Sequence, residues 1–263
     1  MKFDTAVIIG AGAFGTSMAS VLSENFKKVV LKTRTQDLYD SIKNGENSVY
    51  LPGHKLSENI IPALTWKELD EIIADSNVEI ILNGLPTSAI ASFYGENKDW
   101  FIKFFKNKTP FVSLSKGIDP DSLELPDDLL MNEFSHYSEC FSYLSGPSFA
   151  KEILDKQVTI VSLAGKSPDA MLIASKMLQT NYFKAFPTYD IKGVLLGGAL
   201  KNILAIAAGI LEGLGYNHNT RAAMITRGIT EMLRYGKVFN ARPETFYSFS
   251  GMGDLILTAT SEL

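Results

Sequence analysis

Thr5-Ala6-Val7-Ile8-Ile9-Gly10-Ala11-Gly12-Ala13-Phe14-Gly15 lies near the start of the chain, an apolar run that ends in three glycines spaced G-x-G-x-x-G. Apolar residues without polar alternation describe a parallel strand buried on both faces. Thr16, Met18, Ala19, Val21 and Leu22 then recur at helical spacing to about Asn25, and Val29 to Leu31 supply a second strand. A strand, a glycine turn, a helix and a strand within ~30 residues is the context in which this spacing reads as a dinucleotide-binding turn. Gly10 permits the tight turn, Gly12 lets a pyrophosphate approach the backbone, and Gly15 lets helix and strand pack closely. The phosphates would sit on the helix N-terminus, held by free amides and the helix dipole.

The same logic extends along the chain. Asn44 to Pro62 reads as a loop, with Gly45, Pro52, Gly53 and Pro62. Val78 to Leu82 predicts a strand closed by Asn83-Gly84-Leu85-Pro86, and Phe111 to Leu114 one closed by Ser115-Lys116-Gly117. Ser142 to Leu144 leads into Ser145-Gly146-Pro147-Ser148. Ligands of open parallel sheets bind at strand C-termini, which makes Lys116 a candidate for holding an anion. Val158 to Leu163 and Tyr182 to Phe186 predict further strands around an amphipathic helix containing Ala170, Leu172, Ile173, Met177 and Leu178. At the end of the second strand stands Lys32-Thr33-Arg34, with no acid before Asp37 to take ribose hydroxyls. Arg34 would stack on adenine or pair with a 2′-phosphate, which leans toward NADP while leaving NAD open.

Asp190 to Leu211 predicts one long, almost wholly apolar helix that is buried, broken only by Lys201-Asn202. Gly197 and Gly198 precede Lys201 by one turn, and helical side chains lean toward the N-terminus, so the amine should lie over a turn with room for something small. Burial penalises an ammonium, and the resulting pKa shift makes such a lysine a usable acid or base. Snorkelling to solvent is the plain alternative, and a transmembrane span is opposed by the Lys-Asn pair and the glycines. Arg221 to Leu233, with Met224, Ile225, Ile229 and Met232 inward, and a segment opened by Ser250-Gly251-Met252-Gly253-Asp254 predict further helices. The expected fold is α/β: a Rossmann-like doubly wound, mainly parallel sheet over residues 1–189, then an all-helical unit over residues 190–263, with the boundary near Tyr189.

Composition excludes several classes. The 263 residues are 46% hydrophobic and 21% charged, with net charge -4 and pI near 5.5. That balance offers no basic field for nucleic acid, so an anionic substrate must be met by local charges. Cys140, the single cysteine, reads as buried filler in a reducing cytoplasm, and the N-terminus lacks a secretory pattern. His54, His136 and His218 are scattered without metal-ligand spacing. Neither a G-x-x-x-x-G-K-[ST] loop nor a G-x-S-x-G elbow is present, and Ser148 has no histidine in a persuasive relation to it.

With these residues in hand, the sequence resembles the NAD(P)-dependent glycerol-3-phosphate dehydrogenases of bacterial type along essentially its whole length. Gly10 to Thr16, Ser115-Lys116-Gly117, Ser145 to Glu152, Gly197 to Asn202, and Gly253-Asp254-Leu255 with Leu257-Thr258 carry the resemblance. It implies hydride transfer between NAD(P)H and dihydroxyacetone phosphate, giving the sn-glycerol 3-phosphate used in phospholipid synthesis, by a cytoplasmic homodimer. By position it implies that Ala13, Phe14, Arg34 and Ala150 contact the dinucleotide, and that Lys116 touches cofactor and substrate. Gly146 and Ser148 would hold the substrate, Lys201 would be the catalytic acid/base, and Asp254 its substrate-side partner, tuning its pKa. No metal is implied. A 3-hydroxyacid dehydrogenase or ketopantoate reductase of the same plan, or a non-catalytic dinucleotide sensor, are the alternatives. The family continues into a Ser-Arg-Asn stretch whose Arg clamps the substrate phosphate, whereas this chain stops at Ser261-Glu262-Leu263. The expectation is a truncated chain, with cofactor binding kept and turnover badly impaired.

Overall fold

The computed structural model describes residues 2–260. Ten strands form in chain order: β1 (Phe3–Ile9), β2 (Phe26–Lys32), β3 (Glu46–Asn47), β4 (Leu51–Lys55), β5 (Ile60–Ala63), β6 (Val78–Asn83), β7 (Phe111–Ser113), β8 (Phe141–Ser145), β9 (Thr159–Gly165) and β10 (Phe183–Thr188). Eight of them make one sheet in the order β10-β9-β8-β7-β6-β1-β2-β5. Every pairing is parallel except β8 with β9. The chain leaves β1 toward β2 and β5, then returns to lay β6 on the other side of β1. That reversal opens a crevice at the carboxyl ends of β1 and β6, where a doubly wound sheet takes its ligand.

The helices are α1 (Ala13–Asn25), α2 (Gln36–Lys43), α3 (Trp66–Ile73), α4 (Ile90–Glu96), α5 (Lys98–Phe105), α6 (Pro126–Phe134), α7 (Ala150–Leu154), α8 (Pro168–Leu178), α9 (Ile191–Gly213), α10 (His218–Val238), α11 (Pro243–Phe246) and α12 (Asp254–Thr260). They explain why β1 is apolar at successive positions. Val7 and Ile9 pack into a layer with Trp100, Phe101, Phe105, Phe111 and Phe134, while Ala6 and Ile8 face Met18, Val21, Leu22 and Met171 on the opposite side. Strand residues alternate faces, so a sheet covered on both needs both parities apolar. Cys140 is buried, and its thiol donates to the Phe105 carbonyl at 3.7 Å.

Three expectations need correction. Asn44 to Pro62 is more than a loop: β3 and β4 pair as an antiparallel hairpin, and β5 adds a parallel edge strand, Ile60 beside Val29. Gly45 precedes β3, Pro52 and Gly53 lie in β4 of the two-stranded hairpin, and Pro62 lies in the edge strand β5, and edge positions are where proline is tolerated. The second correction concerns α9. It is buried from Gly193 to Gly198 and again at Lys201, but Ile203, Ile206 and Ile210 are exposed in its second half.

The first half of α9 is where the helical part is fastened. Asp190 caps it, accepting from the Gly193 amide at 3.0 Å and from the Arg242 amide at 2.8 Å. Lys192 reaches across to α6, 2.9 Å from Asp127 and 2.7 Å from Asp128. The space over Gly197 and Gly198, expected to be open, is filled by protein. A Cβ at Gly197 would collide with the Ser250 carbonyl, and one at Gly198 would come within 2.7 Å of Ser145 Oγ and 3.4 Å of Lys116 Cδ. The glycines admit neighbouring chain rather than a ligand.

Gly197→Ala should therefore lower stability by ~1–3 kcal/mol through overpacking. Gly209→Ala, whose Cβ meets nothing within 4 Å on the same helix, should raise it by ~0.5–1 kcal/mol. Thermal denaturation of the two variants checks the opposite signs.

Candidate functional site

At the sheet's crevice, Ile9, Gly10, Ala11, Gly12, Lys32, Thr33, Arg34, Thr35, Leu38, Val49, Tyr50, Gly84, Leu85, Pro86, Ala89 and Phe93 line a cleft of about 500 Å³. No carboxylate is among them. Gly10 holds φ +103°, and a Cβ there would come within 2.9 Å of the Gly84 carbonyl, so the turn requires glycine. A Cβ at Gly12 would meet nothing within 4 Å and would instead project into free space. Gly15 lies directly beneath, where a Cβ would overlap the Gly10 carbonyl. No side chain of the described residues caps the N-terminus of α1. A bare glycine at the cleft, uncapped amides behind it and no acid in the wall are what a dinucleotide pyrophosphate requires, so these residues fit that cofactor.

The loops that follow β6 and β7 are tied to one another. Asn83 Nδ2 donates to Ser113 Oγ at 3.1 Å and to Ser115 Oγ at 2.8 Å, and Ser115 Oγ donates to the Leu85 carbonyl at 2.6 Å. Thr87 Oγ1 donates to the Lys116 carbonyl at 3.0 Å. Lys116 is thereby held at the end of β7 and aimed at the helical part. Its Nζ donates to Asp254 Oδ2 at 2.6 Å and to the Gly146 carbonyl at 3.2 Å. Asp254 Oδ1 accepts from Lys201 Nζ at 2.5 Å, and Lys201 Nζ also donates to Thr258 Oγ1 at 2.9 Å. Thr258 in turn donates to the Asp254 carbonyl at 2.7 Å, which fixes its hydroxyl as an acceptor for the amine.

Side-chain exposure in this cluster is 21% for Lys116, 1% for Asp254 and 11% for Lys201. Two ammonium groups thus share one carboxylate, leaving one positive charge in a largely dry site. Burial pushes the Lys116 amine below the ordinary lysine range, Asp254 pulls it back up, and Lys201 pushes it down again.

Two family models match the chain: one described as NAD-dependent glycerol-3-phosphate dehydrogenase N-terminus over residues 5–171, and one described as its C-terminus over residues 190–263. The chain belongs to the NAD-dependent glycerol-3-phosphate dehydrogenase family. It is 40% identical over 257 residues to glycerol-3-phosphate dehydrogenase [NAD(P)+] of Leptospira biflexa, covering 97% of this chain and 74% of the relative. The enzyme of that name from Myxococcus xanthus is 39% identical over 261 residues, with 97% and 74% covered. The crystal structure of glycerol-3-phosphate dehydrogenase from Coxiella burnetii superposes with a TM-score of 0.82 at 32% identity, covering 99% of this chain and 76% of that one.

Within this family frame, the structure brings Lys116, Gly146, Asp254 and Lys201 together, and Ser148 Oγ donates to the Gly146 carbonyl at 2.9 Å. Gly10, Gly12 and Arg34 line the cleft. Ala13 and Phe14 open α1, and Ala150 opens α7, the short helix packed against α1; these three stand outside the lining. Ser261 to Leu263, where the resemblance leads into the Ser-Arg-Asn stretch, lie outside the described residues. Sequence reasoning missed Thr258 as a ligand of Lys201 and Lys192 as the tie to α6. The i, i+4 spacing of Asp254 and Thr258 on one helix was the available signal for the first.

Removing the shared carboxylate should be costly and pH-dependent. Breaking a buried ion pair costs ~3–5 kcal/mol, and the partial exposure of Lys116 places Asp254→Asn toward the lower figure. With the carboxylate gone, the buried Lys116 amine loses the charge that pulled its pKa back up and gives up its proton more easily than in the unfolded chain, so stability rises with pH below the ordinary lysine value of 10.5. The melting deficit of Asp254→Asn should narrow as pH is raised from neutral into the alkaline range; a deficit that stays constant would refute this account of the cluster.

Proposed function

We propose that the chain reduces dihydroxyacetone phosphate to sn-glycerol 3-phosphate, and runs the reverse reaction, with a nicotinamide dinucleotide held in the cleft at the end of β1. The observation that carries this reading is the Lys116–Asp254–Lys201 cluster joining the sheet's carboxyl end to the helical part. The bound dinucleotide supplies or accepts the hydride. The chain's own residues bind, orient and move the proton.

An ammonium has three N–H bonds. Lys201 spends one on Asp254 and one on Thr258, and the third has no partner among the described residues. That donor is the one that polarises the substrate carbonyl and delivers its proton in reduction; in oxidation the deprotonated amine takes it back. The carboxylate and hydroxyl fix the amine's direction, so little reorganisation is needed at the moment of transfer. Lys116, with Gly146 and Ser148 beside it, meets the phosphate, and the cluster's uncompensated positive charge favours a phosphorylated three-carbon ketone over a neutral one. Arg34 and the absence of a carboxylate among the described residues of the cleft wall favour the 2′-phosphate of NADP, with NAD as second choice.

The product serves glycerophospholipid synthesis, and the protein works as a cytoplasmic homodimer. The lone cysteine, buried and free, supports a reducing compartment. α9 is long and apolar enough to cross a membrane, but its cap at Asp190 and the bonds of Lys201 inside the protein support a core helix. A ketopantoate-type reductase would share the helix-borne lysine, and a sensor would share only the cleft.

NADPH oxidation with dihydroxyacetone phosphate against ketopantoate separates these readings, measured as a ratio between substrates. A preference for dihydroxyacetone phosphate is expected, and a preference for ketopantoate overturns the proposal. Lys201→Met should reduce turnover by ~10²–10⁴ while leaving NADPH affinity unchanged; unchanged turnover would leave only a binder. Arg34→Ala should weaken NADPH by ~tenfold or more and NADH little, because a charge-assisted contact is worth ~1.5–3 kcal/mol.

A further inference from the structure

Asn47 lies on the β3–β4 hairpin, 36 residues along the chain from Ala11, and is completely buried. Its Nδ2 donates to the Ala11 carbonyl at 3.0 Å and to Thr16 Oγ1 at 2.7 Å, and its Oδ1 accepts from the Tyr50 amide at 3.2 Å. Both donors and the acceptor of one amide are therefore spent on two segments, the glycine turn and the hairpin that supplies Val49 and Tyr50 to the cleft wall. Thr16 Oγ1 also approaches the Ala11 carbonyl at 3.4 Å.

A glycine turn cradles phosphate only if its amides face the anion and its carbonyls do not. Ala11 stands between Gly10 and Gly12, which line the cleft with it, and its carbonyl is the one whose direction decides the sign of the cradle. Gly10 and Gly12 make the turn permissive, so glycine alone does not hold that peptide in one orientation. Asn47 does, by binding the carbonyl from the buried side. We infer that Asn47 is a positioning residue for the dinucleotide pyrophosphate, acting through the Ala11 carbonyl while joining the cradle to the hairpin that covers it. The inference rests on the dinucleotide reading of the cleft.

The test compares two ligands on the full chain. NADP+ contains the pyrophosphate, whereas adenosine 2′-phosphate carries the 2′-phosphate and adenine without it. Asn47→Asp keeps the size and the acceptor for the Tyr50 amide but has no N–H for Ala11, so the peptide loses its anchor. Binding measured by calorimetry should show the NADP+ Kd raised about tenfold or more, with the Kd of adenosine 2′-phosphate unchanged. Asn47→Ala provides a second variant, expected to show the same split without introducing charge. Equal weakening of both ligands in both variants would mean a merely structural role, and unchanged NADP+ affinity would mean no role; either overturns the inference. If parental protein binds adenosine 2′-phosphate but not NADP+, it is the dinucleotide reading that fails, and the inference with it.

Discussion

A carboxylate shared by two lysines from different parts of the chain is the constraint on which the rest depends. Asp254 is essentially inaccessible and sits on α12, Lys201 on α9, and Lys116 on the loop after β7. None of the three is stable in this position alone, because a buried unpaired charge costs several kcal/mol. Each group therefore fixes the others, and the helical part must meet the sheet in one register for the set to exist. Lys192 with Asp127 and Asp128 makes a second charged tie between the same parts, at the opposite end of the first buried stretch of α9. Buried charge specifies a docking geometry here more than it adds stability.

Small residues make that docking close enough. Gly197 receives the Ser250 and Gly251 backbone, and Gly198 receives Ser145 and the stem of Lys116. A methyl at either would separate α9 from the loops that present Lys116 and Asp254. Gly10 and Gly15 do the same service at the carboxyl end of β1, where α1 must start within contact of β1 and of Gly84. The glycine turn and the seat of the lysine cluster are built by one device, close approach where the glycine offers no side chain.

Much of this was legible in the sequence, because the signals are local. Thr5 to Gly15 announces a buried strand and a tight glycine turn by composition and spacing, and the structure places a cleft there. Lys201 could be singled out because one amine on an apolar helix contradicts its surroundings. What could not be read were pairings across long separations and the identity of what fills a gap. The space over Gly197 looked vacant, since nothing in α9 says that Ser250 packs there. The hairpin at residues 46–55 looked like loop because its strands are two and five residues long, too short for a period-2 pattern to show. The second half of α9 looked buried because apolarity alone does not distinguish a core helix from one with Ile203, Ile206 and Ile210 outward.

On the proposed function, the charge balance accounts for how an acidic protein would hold an anion. The chain carries a net -4, yet charges at the surface farther than ~8 Å are largely screened at physiological salt. The lysine cluster is mostly shielded from water, where the same charge acts through a lower effective dielectric and, in the proposed role, would reach the substrate phosphate with little screening. One uncompensated ammonium held there outweighs several scattered carboxylates in water. Burial also keeps this advantage conditional: the medium that strengthens the attraction pushes the Lys116 proton off, and Asp254 opposes that loss. The carboxylate neutralises half of the positive charge and, by the same attraction, opposes the loss of the Lys116 proton. A site with both lysines and no aspartate would begin with more formal charge and retain less of it.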